Sequence, residues 1–242
     1  MTGMVLMASA VKEYDKRVEL LTRERGRITA FAQGARRPNN SLSACTIPFT
    51  FGTYELVEGR TSYQVYGCQI QTFFEEVAAD FDSMCMASYF AEMARYFTRE
   101  NVEASRELLL LYVTLRAVTR ADVDLRLIRR IYEFRMMCAQ GEGLEVFGCL
   151  GCGRQDGPFQ MHLSRGGILC PQCEAKLPDS VRARGMALQP DTLYTLQVIQ
   201  SKPLEKLYSF RVAPQIQEEL ERLMDRYLEQ YLHHEFKSLS LL

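Results

Sequence analysis

Residues 147–173 read FGCLGCGRQDGPFQMHLSRGGILCPQC, which places one Cys-x-x-Cys pair on each side of a loop. Cys149 and Cys152 form the first pair, and Cys170 and Cys173 form the second. Each pair can fold as a tight turn that offers two thiolates, and four thiolates complete a tetrahedron around zinc with Zn–S bonds of about 2.3 Å. The spacing therefore predicts one structural Zn²⁺ bound by these four cysteines.

Two disulfides, a redox dithiol and a catalytic zinc are the alternative interpretations of the four cysteines. Disulfide frameworks are typical of small secreted domains, whereas this chain has 242 residues and its first residues lack the apolar core of a signal peptide. A thioredoxin-like site needs one reactive pair rather than two matched ones, and a catalytic zinc keeps an open coordination position. The pattern thus favours a structural metal in a reducing compartment, the cytoplasm.

The N-terminal third shows the alternation of strands with one buried face. Residues 1 to about 75 contain five such segments separated by turn residues, at residues 5–10, 17–22, 27–32, 51–58 and 63–71. A polar loop at residues 33–48, expected to be mobile, separates the third segment from the fourth. Five strands with a long loop predict an OB-fold β-barrel, whose open face and loops often bind oligonucleotides.

From Asp80 the apolar period changes to that of helices. Asp80 is the expected N-cap of the first helix, and further helices are expected at residues 103–119, 122–140, 191–200 and 214–236. The predicted fold class is therefore α+β multidomain, with a barrel at 1–78, a helical domain at 79–145 and 179–242, and an inserted four-cysteine zinc finger at 146–178. No apolar run is long enough to span a membrane.

No sequence pattern specifies a catalytic centre, because G-x-S-x-G and Walker-type runs are absent. His162, the one histidine between the cysteine pairs, lacks the glutamate that a zinc deaminase places two residues later, and we expect it at the surface. His233 and His234 are expected on a solvated helix face. The chain is predicted to be a binding protein rather than an enzyme.

The formal net charge is −1, but basic residues concentrate near the N-terminus. The predicted DNA-binding residues are Lys12, Lys16, Arg17, Arg23, Arg25, Arg27, Arg36 and Arg37, with Tyr14, Phe31, Phe49 and Phe51 nearby. Cations neutralise phosphates and aromatic rings stack unpaired bases, which favours single strands. Solvated strand edges that discourage edge pairing, with the aromatics filling the barrel, explain the same residues equally well.

Several stretches resemble the RecO family of bacterial DNA repair and recombination mediators over nearly the whole chain. They are EYDKR at 13–17, LLTRERGRI at 20–28, FAQGARRP at 31–38, EFR at 133–135 followed by the cysteine pairs, and FKSL at 236–239. The resemblance implies an OB-fold, a helical domain and a zinc finger without catalytic residues. It also implies binding of single- and double-stranded DNA and annealing of complementary strands, including strands coated by single-strand-binding protein. Cooperation with RecR in loading RecA and a nucleoid location are implied as well.

Arg126, Arg129 and Arg130 are the predicted site for the acidic C-terminal tail of single-strand-binding protein, because they recur at helical spacing beside apolar residues. A solvated helix face is the competing interpretation. For the whole chain, a zinc-ribbon adaptor with little intrinsic DNA binding is the alternative function, and a metal-dependent hydrolase is a third.

Overall fold

The computed structural model describes residues 1–120 and 122–241, and the chain divides into two compact units. The first unit comprises Met1–Ala121 with Phe236–Leu242, and the second comprises Asp122–Glu235. The predicted three-module division of the chain stays a prediction. Over the described residues, none of the helices combines the length and apolar character required to cross a bilayer.

Five strands of the first unit close into a barrel in the order β1-β2-β3-β5-β4. The strands are β1 (Thr2–Val11), β2 (Asp15–Thr22), β3 (Gly26–Ala32), β4 (Phe51–Glu58) and β5 (Tyr63–Thr72). All pairings are antiparallel except that of β3 with β5. The structure confirms the predicted five-stranded barrel, and the strand alternation explains it because Val18, Leu20, Ile28 and Ala30 all lie in the interior.

The segment between β3 and β4 differs from the expected polar loop. It contains a helical turn, α1 (Leu42–Cys45), whose Leu42 and Cys45 belong to the barrel core. The buried hydroxyl of Tyr54 on β4 donates to the carbonyl of Cys45 at 3.1 Å and lies equally close to that of Thr50. This segment therefore contributes to the core, because Ala35, Leu42 and Cys45 among its polar residues pack into the barrel interior.

Helices cover the outer side of β1 and β2. Helix α3 (Phe81–Phe97) packs on β1 and α4 (Ser105–Val118) packs on β2, while the short α2 (Glu75–Ala79) packs on α3. The carboxylate of Asp80 accepts from the backbone N–H of Ser83 at 2.9 Å, which confirms the predicted N-cap. A final 3₁₀ helix, Lys237–Leu241, packs on α3, where Glu92 accepts from the backbone N–H groups of Lys237 and Ser238 at 3.1 and 3.0 Å.

The second unit contains the remaining helices and a small sheet. The helices are α5 (Leu125–Ala139), α6 (Pro171–Glu174), α7 (Asp179–Arg182), α8 (Pro190–Ser201) and α9 (Pro214–Tyr231). Strands β6 (Gln160–His162), β7 (Gly167–Leu169) and β8 (Met186–Ala187) pair in the order β7-β6-β8. The predicted last helix ends at Tyr231 rather than at residue 236, because Leu232 adopts an extended conformation.

Candidate metal centre and nucleic-acid interface

The four predicted cysteines converge in the second unit. Cys149 and Cys152 lie in the turn that precedes β6, Cys170 follows β7, and Cys173 lies in α6. Their Sγ atoms all lie within 4.8 Å of one another, and those of Cys152 and Cys170 are 3.7 Å apart. A tetrahedron with Zn–S bonds of about 2.3 Å has edges of about 3.8 Å. The thiols therefore fit a tetrahedral metal ion.

Backbone N–H groups surround the Cys149 thiol. Its Sγ accepts from the N–H of Cys170 at 3.2 Å and from that of Gly151 at 3.4 Å. Burial opposes ionisation, but these N–H groups outweigh it and lower the pKa of Cys149 to about 6. Burial and hydrogen bonds with neighbouring thiols raise the pKa of Cys173 to about 12. The backbone thus favours a thiolate at Cys149, the form that binds metals.

Two glycines shape the first cysteine turn. A Cβ on Gly151 would lie 2.7 Å from the Sγ of Cys173, and Gly153 has a φ of +74°. Only glycine leaves room for the sulfur at the first position and adopts the left-handed conformation without strain at the second. The second pair of cysteines can therefore approach the first closely.

His162 is buried, with 1% of its surface exposed, so its predicted surface position is wrong. It lies on β6, the central strand of the small sheet, and its Nε2 is 3.1 Å from the Oε1 of Glu174. Gly185 lies directly against this pair, since a Cβ there would be 2.9 Å from Nε2. A strand of three residues is too short to show a period in the sequence, and the burial depends on residues from two later segments.

The eight predicted DNA-binding residues of the barrel form three groups along the β2–β3 hairpin. One group lies where β2 begins and comprises Lys12, Lys16, Arg36 and Arg37. A second group, Arg23 and Arg25, lies at the opposite end of the hairpin, and Arg17 and Arg27 lie on the outer face between them. The residues therefore line one hairpin from end to end rather than forming a single cluster.

Arg36 and Arg37 are held against the β1–β2 turn. The Arg36 guanidinium donates to the carbonyl of Glu13 at 3.1 Å, and its backbone N–H donates to that of Tyr14 at 2.9 Å. The Arg37 guanidinium lies over the ring of Tyr14, 5.1 Å from its centroid, and this tyrosine is exposed. Burial, and then the charge of Arg36, lowers the pKa of Lys16. An exposed ring and two cations therefore meet at this end.

Four of the other predicted residues, Arg17, Arg23, Arg25 and Arg27, have carboxylate partners. Arg23 pairs with Glu24 at 3.0 Å, and Arg25 lies 3.9 Å from Glu58. Among the aromatic residues noted with the basic segment, Tyr14 is exposed, Phe31 and Phe51 are half-buried, and Phe49 is buried. Part of the aromatic set thus belongs to the core, as the alternative interpretation expected.

The three arginines of α5 lie in ion pairs. Arg126 contacts Glu221 at 2.6 Å, and Arg129 contacts Glu133 at 2.8 Å. Arg130 is buried and pairs with Glu133 at 2.9 Å and Asp225 at 2.7 Å. Arg126 and Arg129 are the members of this set with more solvent exposure.

A closed OB-like barrel, a helical region and a four-cysteine cluster in one chain define a class of multidomain α+β proteins with a candidate metal site. The family description Recombination protein O N terminal matches residues 1–74, and Recombination protein O C terminal matches residues 78–240. The chain therefore belongs to the RecO family of DNA repair and recombination proteins, as its sequence resemblance predicted.

Relatives of this family align over almost the whole chain. The chain is 26% identical over 236 residues to DNA repair protein RecO of Thermoanaerobacter sp. (strain X514), covering 98% of this chain and 93% of the relative. It is 29% identical over 241 residues to DNA repair protein RecO of Desulforudis audaxviator, covering 99% of this chain and 94% of the relative. It is also 29% identical over 231 residues to DNA repair protein RecO of Bacillus pumilus, covering 95% of this chain and 87% of the relative.

Proposed function

We propose that this chain binds single- and double-stranded DNA through its barrel and anneals complementary strands without catalysing a reaction. With RecR it would help load RecA onto DNA coated by single-strand-binding protein, in the cytoplasm at the nucleoid. The observation that supports this proposal is the placement of the basic residues at both ends and on the outer face of one hairpin. The family membership supports the repair context.

The hairpin has the length that a short single strand needs. Lys16 and Arg23 are seven residues apart on β2 and its turn, which corresponds to about 23 Å at about 3.3 Å per residue. OB-folds bind about 4 to 16 nucleotides, so a strand that follows the hairpin meets cations along its path. Tyr14, with Arg37 against its ring, supplies a surface on which a base can stack.

Annealing then follows from electrostatics. Two polyanions approach slowly unless cations reduce their repulsion, and a basic face that contacts phosphates leaves base edges available for pairing. No bond-making group is needed for this step.

We propose that the four-cysteine cluster binds one structural Zn²⁺. Four thiolates fill a tetrahedral shell and leave no position for substrate. When bound, the ion would join the turn before β6 to α6 and so contribute to local folding.

The acidic tail of single-strand-binding protein is proposed to bind beside α5. Because Arg130 is buried, this proposal depends on Arg126 and Arg129, where tail carboxylates would compete with Glu221 and Glu133. Calorimetry with a peptide of that tail tests it. Unchanged affinity in Arg129→Glu would remove these residues from the proposal.

The decisive experiment measures single-stranded DNA binding by fluorescence anisotropy at several salt concentrations. Arg36→Gln with Arg37→Gln should lower the salt slope by about 1.4, because each phosphate contact contributes about 0.7, and annealing should slow in parallel. Arg106→Gln with Arg116→Gln on α4 is the matched control, since both arginines are exposed in the same unit.

Two results would contradict the proposal. A folded Arg36/Arg37 variant with the parental slope and annealing rate would place DNA elsewhere, such as at Arg154 and Arg165 or on the helices. A parental protein that binds RecR but not DNA would favour the alternative function of a zinc-ribbon adaptor.

A further inference from the structure

Three arginines from three different elements converge on one carboxylate. Glu19 points outward from the middle of β2 and is only 5% exposed. Its Oε2 accepts from Arg95 Nε on α3 at 2.7 Å, and its Oε1 accepts from Arg95 Nη2 at 3.2 Å. Arg17 on β2 and Arg27 on β3 each lie 3.5 Å from the same carboxylate.

The charges of this cluster do not cancel. Burial opposes the ionisation of Glu19, but the hydrogen bond and charge of Arg95, with the charges of Arg27 and Arg17, lower its pKa. One negative charge thus faces three positive ones, which leaves an excess of two. The arginine side chains are 43%, 36% and 32% exposed for Arg17, Arg27 and Arg95. The excess positive charge is therefore accessible to a ligand.

We propose that Arg17, Arg27 and Arg95 form a binding site for a phosphodiester group of the bound DNA strand, with Glu19 holding the three guanidinium groups in place. This proposal rests on the proposed DNA-binding function and extends it to α3, outside the barrel. Arg95 is its new residue.

The arrangement of N–H donors fits a site for an external anion better than it fits a purely structural ion pair. A guanidinium carries five N–H donors, and Arg95 directs two of its nitrogens to Glu19. Arg27 is fixed additionally by its Nε, which donates to the carbonyl of Thr98 at 3.2 Å. One arginine would suffice to pair Glu19, whereas the remaining N–H donors of three neighbouring guanidiniums match the recognition of phosphate. Arg95 and Arg27 are held by hydrogen bonds. Because they are already ordered, less conformational entropy is lost on binding.

The position of the cluster favours nucleic acid over an acidic peptide. Glu19 lies midway along β2, between the basic groups at the two ends of the hairpin. Phe31 is the cross-strand partner of Arg17 and is half-buried, so an aromatic face adjoins the cations. A single strand that follows the hairpin would cross this point, with a phosphate on the arginines and a base beside Phe31.

The test compares Arg95→Gln with Arg106→Gln, an exposed arginine on α4 of the same unit. Binding of fluorescent oligothymidylate is measured by anisotropy from low to high salt. Loss of one phosphate contact should lower the slope by about 0.7, which corresponds to about fivefold weaker binding at 0.1 M salt. Arg106→Gln should keep the parental slope.

Because Arg95 also joins α3 to β2, the melting temperature of Arg95→Gln is measured as well, and a second variant is tested. Arg17→Gln removes a single 3.5 Å contact from a more exposed side chain, and it should show the same change in slope with a parental melting temperature. Parental slopes in both folded variants would overturn the proposed phosphate-binding site while leaving DNA binding intact. A parental protein that binds no DNA would overturn both the proposed function and this site. Loss of acidic-peptide binding with unchanged DNA binding would assign the arginines to a protein partner and overturn the proposal.

Discussion

Replacement of Cys170 by serine tests the metal centre most directly. Cys170 is 1% exposed, its N–H donates to Cys149 Sγ, and its own Sγ lies 3.7 Å from that of Cys152. Substitutions outside the ligand shell lower metal affinity by about 10- to 100-fold, so loss of a direct ligand should lower it by at least about 100-fold. Each factor of ten is about 1.4 kcal/mol, which gives about 2.8 kcal/mol of lost stabilisation.

The expected change in melting temperature follows from the size of the unit. The second unit spans residues 122–235, and a domain of about this size loses about 4 °C per kcal/mol. Cys170→Ser should therefore melt about 10 °C lower and lose its zinc. Calorimetry and elemental analysis of the same samples measure both quantities.

Cys138→Ser is the control for this prediction, because Cys138 lies on α5 in the same unit and outside the cluster. It should retain zinc. A parental protein purified under reducing conditions without any metal, or a Cys170→Ser variant that melts like the parent, would refute the argument.

Three further outcomes are expected. Gly151→Ala should weaken zinc binding by about 10- to 100-fold in a chelator competition, because the new Cβ would lie 2.7 Å from the Cys173 sulfur. Glu133→Gln should lower the free energy of unfolding by about 3 kcal/mol in urea, since it removes one of the two carboxylate charges that pair with the buried Arg130. The folded-state pKa of Glu19 lies below its unfolded value. Ionised Glu19 therefore contributes its full share of the free energy of unfolding above about pH 4.3, and this share is lost as the pH falls through the folded pKa. Glu19→Gln should remove this pH-dependent loss of stability.

The barrel and the cysteine cluster could be predicted because their determinants are local. Inward residues such as Val18 and Leu20 alternate within one strand, and each Cys-x-x-Cys pair is a single turn. The sequence resemblance also predicted the RecO family, and the family matches at residues 1–74 and 78–240 confirm it.

Features that depend on distant residues could not be predicted. The helical turn α1 is too short to show a period, and the burial of His162 is completed by Glu174 and Gly185. Arg95 is 76 positions from Glu19, so nothing in either local sequence indicates their ion pair. Pairing across such separations is set by packing rather than by pattern.

The return of residues 236–241 to α3 has a consequence for biosynthesis. Phe236 packs edge-on against Tyr89 and Tyr96, with ring centroids 5.5 and 5.8 Å apart, so the first unit is completed by residues that the ribosome adds after the whole second unit. At about 5 to 20 residues per second, residues 122–241 take about 6 to 24 s to synthesise. During that interval the aromatic face of α3 stays uncovered on the nascent chain, and a ribosome that stalls within the second unit leaves the first unit without the segment that covers α3.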